Sequence, residues 1–279
     1  MKNIQIIAEI GINHNGSIET AKALMDVAKQ CGCDYIKFQK RDIDTVYSKE
    51  FLDSPRESPW GKTQGEQKRA LEFGFEEYRE IDRYSEEIGL PWFASCWDFE
   101  SLAFIESFNP PLHKIASPML THKIFVRKVA SLGRTTLIST GMSDWVPILN
   151  AASIFEAEHC PYALFHCTSE YPCPDDACNI SMIPELRKKF PGVSVGYSNH
   201  SPGILSCIGA AFLGAEWIEA HVTLDRTMYG SDQAASIERP GLERIVQYCK
   251  LAPKVIGDGI KIIRAAEKTN AKKLRYWEA

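Results

Sequence analysis

The sequence predicts an α/β fold, a single (β/α)8 TIM barrel, and three observations carry that prediction. Short, continuously apolar runs alternate with helical stretches eight times along the chain, the pattern of parallel strands covered by crossover helices. The length, 279 residues, suits one barrel of this kind. No G-x-G-x-x-G follows the first run, which speaks against an open, dinucleotide-binding sheet.

Residues 4–10 read as the first strand, and residues 17–30 as a helix with Ser17 as its N-cap. Residues 34–39 are the second strand. An insertion follows from about Lys40 to Gly65, rich in Asp, Ser and Pro, and passes over one face of the domain. Residues 75–88 form a helix closed by Gly89, with Pro91 beyond it. Strands at 91–96, 113–116, 135–139, 162–167, 193–197 and 216–221 then alternate with helices at 100–107, 123–131, 146–156, 181–190 and 202–213. A last helix spans 241–256. The barrel is expected over residues 1–262, with 263–279 a short basic C-terminal tail.

Charge and composition narrow the function. With 32 basic and 36 acidic residues the net charge is −4, which gives no general attraction to nucleic acid or anionic membranes. No apolar run approaches the roughly 18 residues of a membrane span, and the start of the chain meets charge too soon for a secretory signal. The nine cysteines show no strong zinc-site spacing. Reduced thiols and a cytoplasmic location are expected.

Polar residues gather at the C-terminal ends of the proposed strands: Glu9, Lys37 and Gln39, Ser95, Lys114 with Ser117, Ser139 with Thr140, Ser198 with Asn199 and His200, and His221. In a barrel these ends meet at one mouth, where active sites are built. Polar residues also simply stop strands, but Lys37 and Lys114 lie inside apolar runs, where a lysine is costly without an anion or carboxylate. Together with the serines and loop amides they make a phosphate and carboxylate cradle; solvated strand-end lysines are the competing explanation. His200 and His221 end neighbouring strands, and Glu9 lies one strand further round, so a shared metal is weighed against packed histidines. Imidazole with oxygen ligands suits Mn, Fe, Co or Zn. His14 sits in a loop that could line the mouth, and His166 reads as a buried, hydrogen-bonded residue. Cys31 and Cys33 read as helix-end packing.

The strings IIAEIGINHNG, IKFQK, KIAS, ISTGM, LFHCTSEYP, GYSNHS and EAHVTLDR…GSDQAAS resemble the sialic acid synthase family over residues 4–240. That resemblance implies condensation of phosphoenolpyruvate with an N-acylated aldose, release of phosphate, and a sialic-acid-like 3-deoxy-2-ulosonic acid as product. It implies metal binding by His200 and His221, with Mn2+ expected ahead of Mg2+ or Co2+, and a divalent ion acting as Lewis acid on the aldehyde. It assigns phosphoenolpyruvate to Lys37, Ser95, Lys114, Ser117, Ser139 and Ser198. Glu9 and Gln39 stand beside the reacting carbons, and Tyr171 and Asp232 position the sugar. It further implies a homodimer.

Three departures fall on the acceptor side. The family commonly carries a C-terminal antifreeze-like domain that this sequence does not include. Met119 stands where the family usually has glutamate, and Ser169 where it usually has asparagine. The rival readings are a 3-deoxy-ulosonate synthase using a phosphorylated aldose, with Arg41, Lys62 and Arg226 as candidate phosphate partners, metal-dependent hydrolysis, and a non-catalytic sugar-binding barrel. The acidic and aromatic insertion from Asp42 to Trp60 is expected to cover the mouth.

Overall fold

Eight strands close on themselves in the computed structural model, which describes residues 3–278. They are β1 (Gln5–Gly11), β2 (Tyr35–Lys40), β3 (Trp92–Cys96), β4 (His113–Ile115), β5 (Thr136–Ser139), β6 (Tyr162–His166), β7 (Ser194–Asn199) and β8 (Trp217–His221). Each pairs in parallel with the next, and β8 returns to pair with β1. The expected (β/α)8 barrel is borne out.

Side chains along a strand alternate between faces, so every second residue enters the barrel. Ile7, Phe93, Leu137, Ala163 and Phe165 fill its middle, with Tyr35 and Trp217 packed against them. The layer is tight: a Cβ at Gly196 would come within 2.7 Å of the Phe165 ring, so only glycine leaves that ring its place. Two residues further along each strand the inward side chains turn polar, at Glu9, Lys37, Ser95, Ser139, Ser198 and Glu219. Outside the strands, a larger apolar cluster that includes Leu24, Phe38, Tyr78, Phe125 and Phe155 packs the helices onto the barrel wall.

Local signals place the helices. Ser17 accepts a hydrogen bond from the Thr20 amide and caps Ile18–Cys31, while Gly89, in the left-handed region at φ 61°, closes Phe75–Ile88. The insertion is more ordered than its composition suggests. It holds helices Ile43–Val46, Lys49–Leu52 and Gln64–Leu71 and a hairpin of Pro55–Ser58 with Gly61–Thr63. Gly65 therefore lies inside a helix rather than ending a loop, and a capping box between Thr63 and Glu66 starts that helix. Within the region read as a basic tail, Ala265–Leu274 is helical and buries no residue. Among the described residues no helix is long and apolar enough to cross a membrane.

Candidate active site

Strand register brings the polar layer together. Glu9 stands opposite Lys37 on one side and His221 on the other; Ser95 stands opposite both Gln39 and Lys114, and Glu219 opposite Ser198. These residues border a cavity of about 250 Å3 at the C-terminal mouth of the barrel, and Ser117, Ser139, Tyr171, His200 and Asp232 also line it. The metal, phosphoenolpyruvate and sugar residues that the sequence puts forward all face this one cavity.

At the cavity floor two lysines and two carboxylates form a chain. Lys37 Nζ lies 2.9 Å from Glu9 Oε2 and 3.5 Å from Glu219 Oε1, and Lys114 Nζ lies 3.0 Å from Glu219 Oε2. Ser198 Oγ donates to Glu219 at 2.9 Å, and Gln39 Nε2 donates to Glu9 at 2.7 Å. Lys114 also sits 4.0 Å above the Phe165 ring, a cation held on an aromatic face. All four charged side chains are buried. Burial pushes the Glu9 carboxyl above its ordinary range against the pull of Lys37. Burial opposes the charge on Glu219 too, but Lys114 and Lys37 outweigh it and hold that carboxyl down at about 2. Burial lowers Lys114, while Glu219 and Glu9 keep Lys37 above its usual value despite the same burial.

Sequence reasoning misses Glu219, which sits between Ile218 and Ala220 in an apolar run. Its signal is its spacing: two residues before His221 on one strand, it must share that residue's inward face.

The two histidines adjoin this chain, with ring centroids 5.5 Å apart. The Thr168 carbonyl, 2.6 Å from His200 Nδ1, fixes the proton on that nitrogen and leaves Nε2 with its lone pair towards the cavity. The Tyr171 hydroxyl donates to Nε2 at 2.9 Å, so it stands where a metal bond would form and must swing aside for one. Burial, then the neighbouring His221, lowers His200 to about 3, so the ring is neutral and fit to be a ligand. His221 Nδ1 is buried with no hydrogen-bond partner and lies 3.7 Å from Asp232 Oδ2. The unpartnered Nδ1 of His221, with Nε2 of His200 once Tyr171 moves off it, fits a divalent ion with two imidazole ligands. No group of three or more His, Cys, Asp or Glu side chains that could hold a metal forms among the described residues.

The remaining candidates resolve differently. His14 does not line the cavity: its ring stacks on Phe73 at 3.9 Å and its Nδ1 accepts from the Gly16 amide. His166 bonds the Cys178 carbonyl at 2.9 Å, as expected of a buried structural histidine. Met119 packs in the apolar layer behind the mouth, whereas Ser169 faces the cavity. Of the three basic residues weighed for an acceptor phosphate, Arg41 lines the cavity; Lys62 is exposed elsewhere and Arg226 bonds the Pro202 carbonyl. All nine cysteines are free and buried.

Comparisons with known proteins place the chain in a family. The human N-acetylneuraminate-9-phosphate synthase is 37% identical over 271 residues, 96% of this chain and 76% of the human protein. The N,N'-diacetyllegionaminic acid synthase of Campylobacter jejuni is 31% identical over 97% of this chain and 82% of its own length. A crystal structure of the N-acetylneuraminic acid synthetase of Leptospira borgpetersenii, solved in complex with citrate, superposes with a TM-score of 0.86 at 29% identity. That match covers 98% of this chain and 93% of the other. The NeuB family model matches residues 24–261, and the chain belongs to the NeuB family.

Proposed function

We propose that this chain condenses phosphoenolpyruvate with the open-chain aldehyde of an N-acylated aldose, giving a sialic-acid-like 3-deoxy-2-ulosonic acid and phosphate. The observation that carries the reading is a single cavity holding both an anion cradle and two adjoining histidines, His200 with Nε2 turned to the cavity and His221 with Nδ1 unpartnered. Relatives named as synthases of two different acids of this kind support the reaction type.

Lys37 and Lys114, with the hydroxyls of Ser95, Ser117, Ser139 and Ser198, take the phosphate and carboxylate of phosphoenolpyruvate. Glu219 holds the two ammonium groups in place between turnovers. His200 and His221 hold a divalent ion, Mn2+ in this proposal, which polarises the aldehyde oxygen when bound. C3 of phosphoenolpyruvate attacks the aldehyde carbon, and positive charge develops at C2. Glu9, raised by burial and held by Gln39, takes the proton of the water that adds there. The tetrahedral C2 then expels phosphate by C–O cleavage. Tyr171 and Asp232, beside the histidines, orient the sugar. A cytoplasmic homodimer is the working form in the same proposal.

The test is phosphate release from phosphoenolpyruvate with Mn2+ and a panel of aldoses, with mass analysis of the product. Release that requires an aldose, with a product heavier than it by a pyruvate unit, supports the reading; release without any aldose rejects it.

A further inference from the structure

The loop that leaves β8, residues 222–238, is tied back to the strand it comes from. The Val222 amide donates to the Glu9 carbonyl at 2.9 Å, the Ile237 amide to the His221 carbonyl at 2.7 Å, and the Thr223 amide to the Ile237 carbonyl at 3.1 Å. The loop therefore starts and ends beside His221. Within it, Ser231 and Asp232 line the cavity, and Ser231 Oγ donates to Asp232 Oδ1 at 2.8 Å.

Two crossed hydrogen-bond chains fix this loop to the one that follows β1. Asn13 Nδ2 donates to the Val222 carbonyl at 2.9 Å and to Ser236 Oγ at 2.7 Å. Ser236 Oγ in turn donates to the Asp232 carbonyl at 2.6 Å. In the other direction the Thr223 hydroxyl donates to Gln233 Oε1, and Gln233 Nε2 donates to the Asn13 carbonyl at 3.3 Å. The proton order is forced. The Val222 and Asn13 carbonyls can only accept, so both side-chain amides must turn nitrogen towards them. Ser236 then receives the second Asn13 proton and has its own left for Asp232. Asn13, Thr223, Gln233 and Ser236 are each at most 1% exposed. A polar group buried that deeply is costly to leave unpaired, so the chains hold the loop in one geometry.

We infer that Asn13, Gln233 and Ser236 are positioning residues for Asp232: acting through the loop backbone, they hold its carboxylate beside His221, where Oδ2 lies 3.7 Å from Nδ1. The inference rests on the condensation reading above and deepens it, because Asp232 orients the acceptor in that reading. The lysines of the donor cradle stand on β2 and β4, away from this loop. A shift of the loop therefore moves the acceptor's partner and leaves the phosphoenolpyruvate cradle in place.

The experiment is a double-mutant cycle with the full chain, Mn2+, phosphoenolpyruvate and an accepted aldose. Ser236→Ala removes one hydroxyl and little volume. It is expected to raise KM for the aldose by about tenfold and to move KM for phosphoenolpyruvate by less than about twofold. Asp232→Ala (or Asp232→Asn, if alanine leaves too little turnover to measure) lowers kcat/KM for the aldose. Ser236→Ala added to it changes that value by less than about twofold, because the group it displaces is already gone. Gln233→Met keeps the length of the side chain without its amide; it repeats the pattern and stands in if Ser236→Ala does not fold. An unchanged KM for the aldose overturns the inference. So do equal rises for both substrates, or a full tenfold effect on top of Asp232→Ala, either of which would make the network general support for the fold. Absence of wild-type turnover with every aldose counts against the condensation reading instead. Amide hydrogen exchange across residues 224–236 then decides the tether: faster exchange in Ser236→Ala upholds it, unchanged exchange rejects it.

Discussion

A methyl group on Gly141 would stand 2.3 Å from Ser169 Oγ and 2.7 Å from Ser117 Oγ. Both hydroxyls face the cavity, so the glycine is the space that lets the β5 loop pass over them. Gly141→Ala is expected to displace Ser117 and to lower kcat/KM for phosphoenolpyruvate by roughly 10- to 100-fold, with the melting curve little changed. Steady-state kinetics with an intact thermal transition would confirm it; unchanged kinetics would show that the loop yields freely. His14 makes a different kind of prediction. Burial lowers it from 6.5 to about 3, and it stays neutral against Phe73. The unfolded chain binds that proton below about pH 6.5 and the folded chain does not, so stability falls as pH drops from about 6.5 towards 3. The loss is about 1.4 kcal/mol per pH unit for this one group. His14→Phe keeps a ring on Phe73 but cannot take the proton. Between pH 8 and pH 5 its unfolding free energy should fall by about 2 kcal/mol less than that of wild type in urea titrations. Parallel pH profiles would mean that His14 does not titrate differently in the two states.

At the scale of elements, the strands are the most legible part of the sequence. They are short apolar runs whose ends turn polar at the mouth, and that switch by itself points to Glu9, Lys37, Ser95, Ser139 and His221. Glu219 hides inside such a run, and only its two-residue spacing from His221 gives it away. The insertion is legible as an excursion but not as structure. Helix Gln64–Leu71 buries only Gly65, Gln67 and Leu71, too little apolar periodicity to announce a helix. Helix Ala265–Leu274 buries nothing and has no pattern to show. The hairpin folds back to set Trp60 against Tyr229 at 5.6 Å, and no local spacing reports that. Ile43, Tyr47 and Lys68 line the cavity, so the insertion forms part of its wall, on the acceptor side in the function proposed above. Replacing residues 46–59 by a short glycine-rich link should raise KM for the acceptor by roughly tenfold or more and leave that for phosphoenolpyruvate within about twofold. Equal rises for both substrates would show instead that the segment supports the whole mouth.

For the molecule as a whole, barrel closure and chemistry are separate. The interior is filled by Ile7, Phe93, Leu137 and Phe165 below the polar layer, so the fold has a core of its own and does not depend on an ion. In the function proposed above only two histidines would hold the ion, which makes for an open and modest site. Chelation with EDTA should therefore abolish phosphate release, Mn2+ should restore it, and the circular dichroism spectrum and melting transition of the chelated protein should remain. Unfolding on chelation would mark a structural metal instead.

The central claim, condensation with C–O cleavage, is tested most directly by running the reaction in 18O-labelled water with phosphoenolpyruvate and an accepted aldose. The account predicts inorganic phosphate free of solvent 18O, formed one for one with the ulosonic acid. Phosphate carrying solvent 18O, or phosphate formed without the new acid, would contradict it and make the protein a hydrolase of phosphoenolpyruvate.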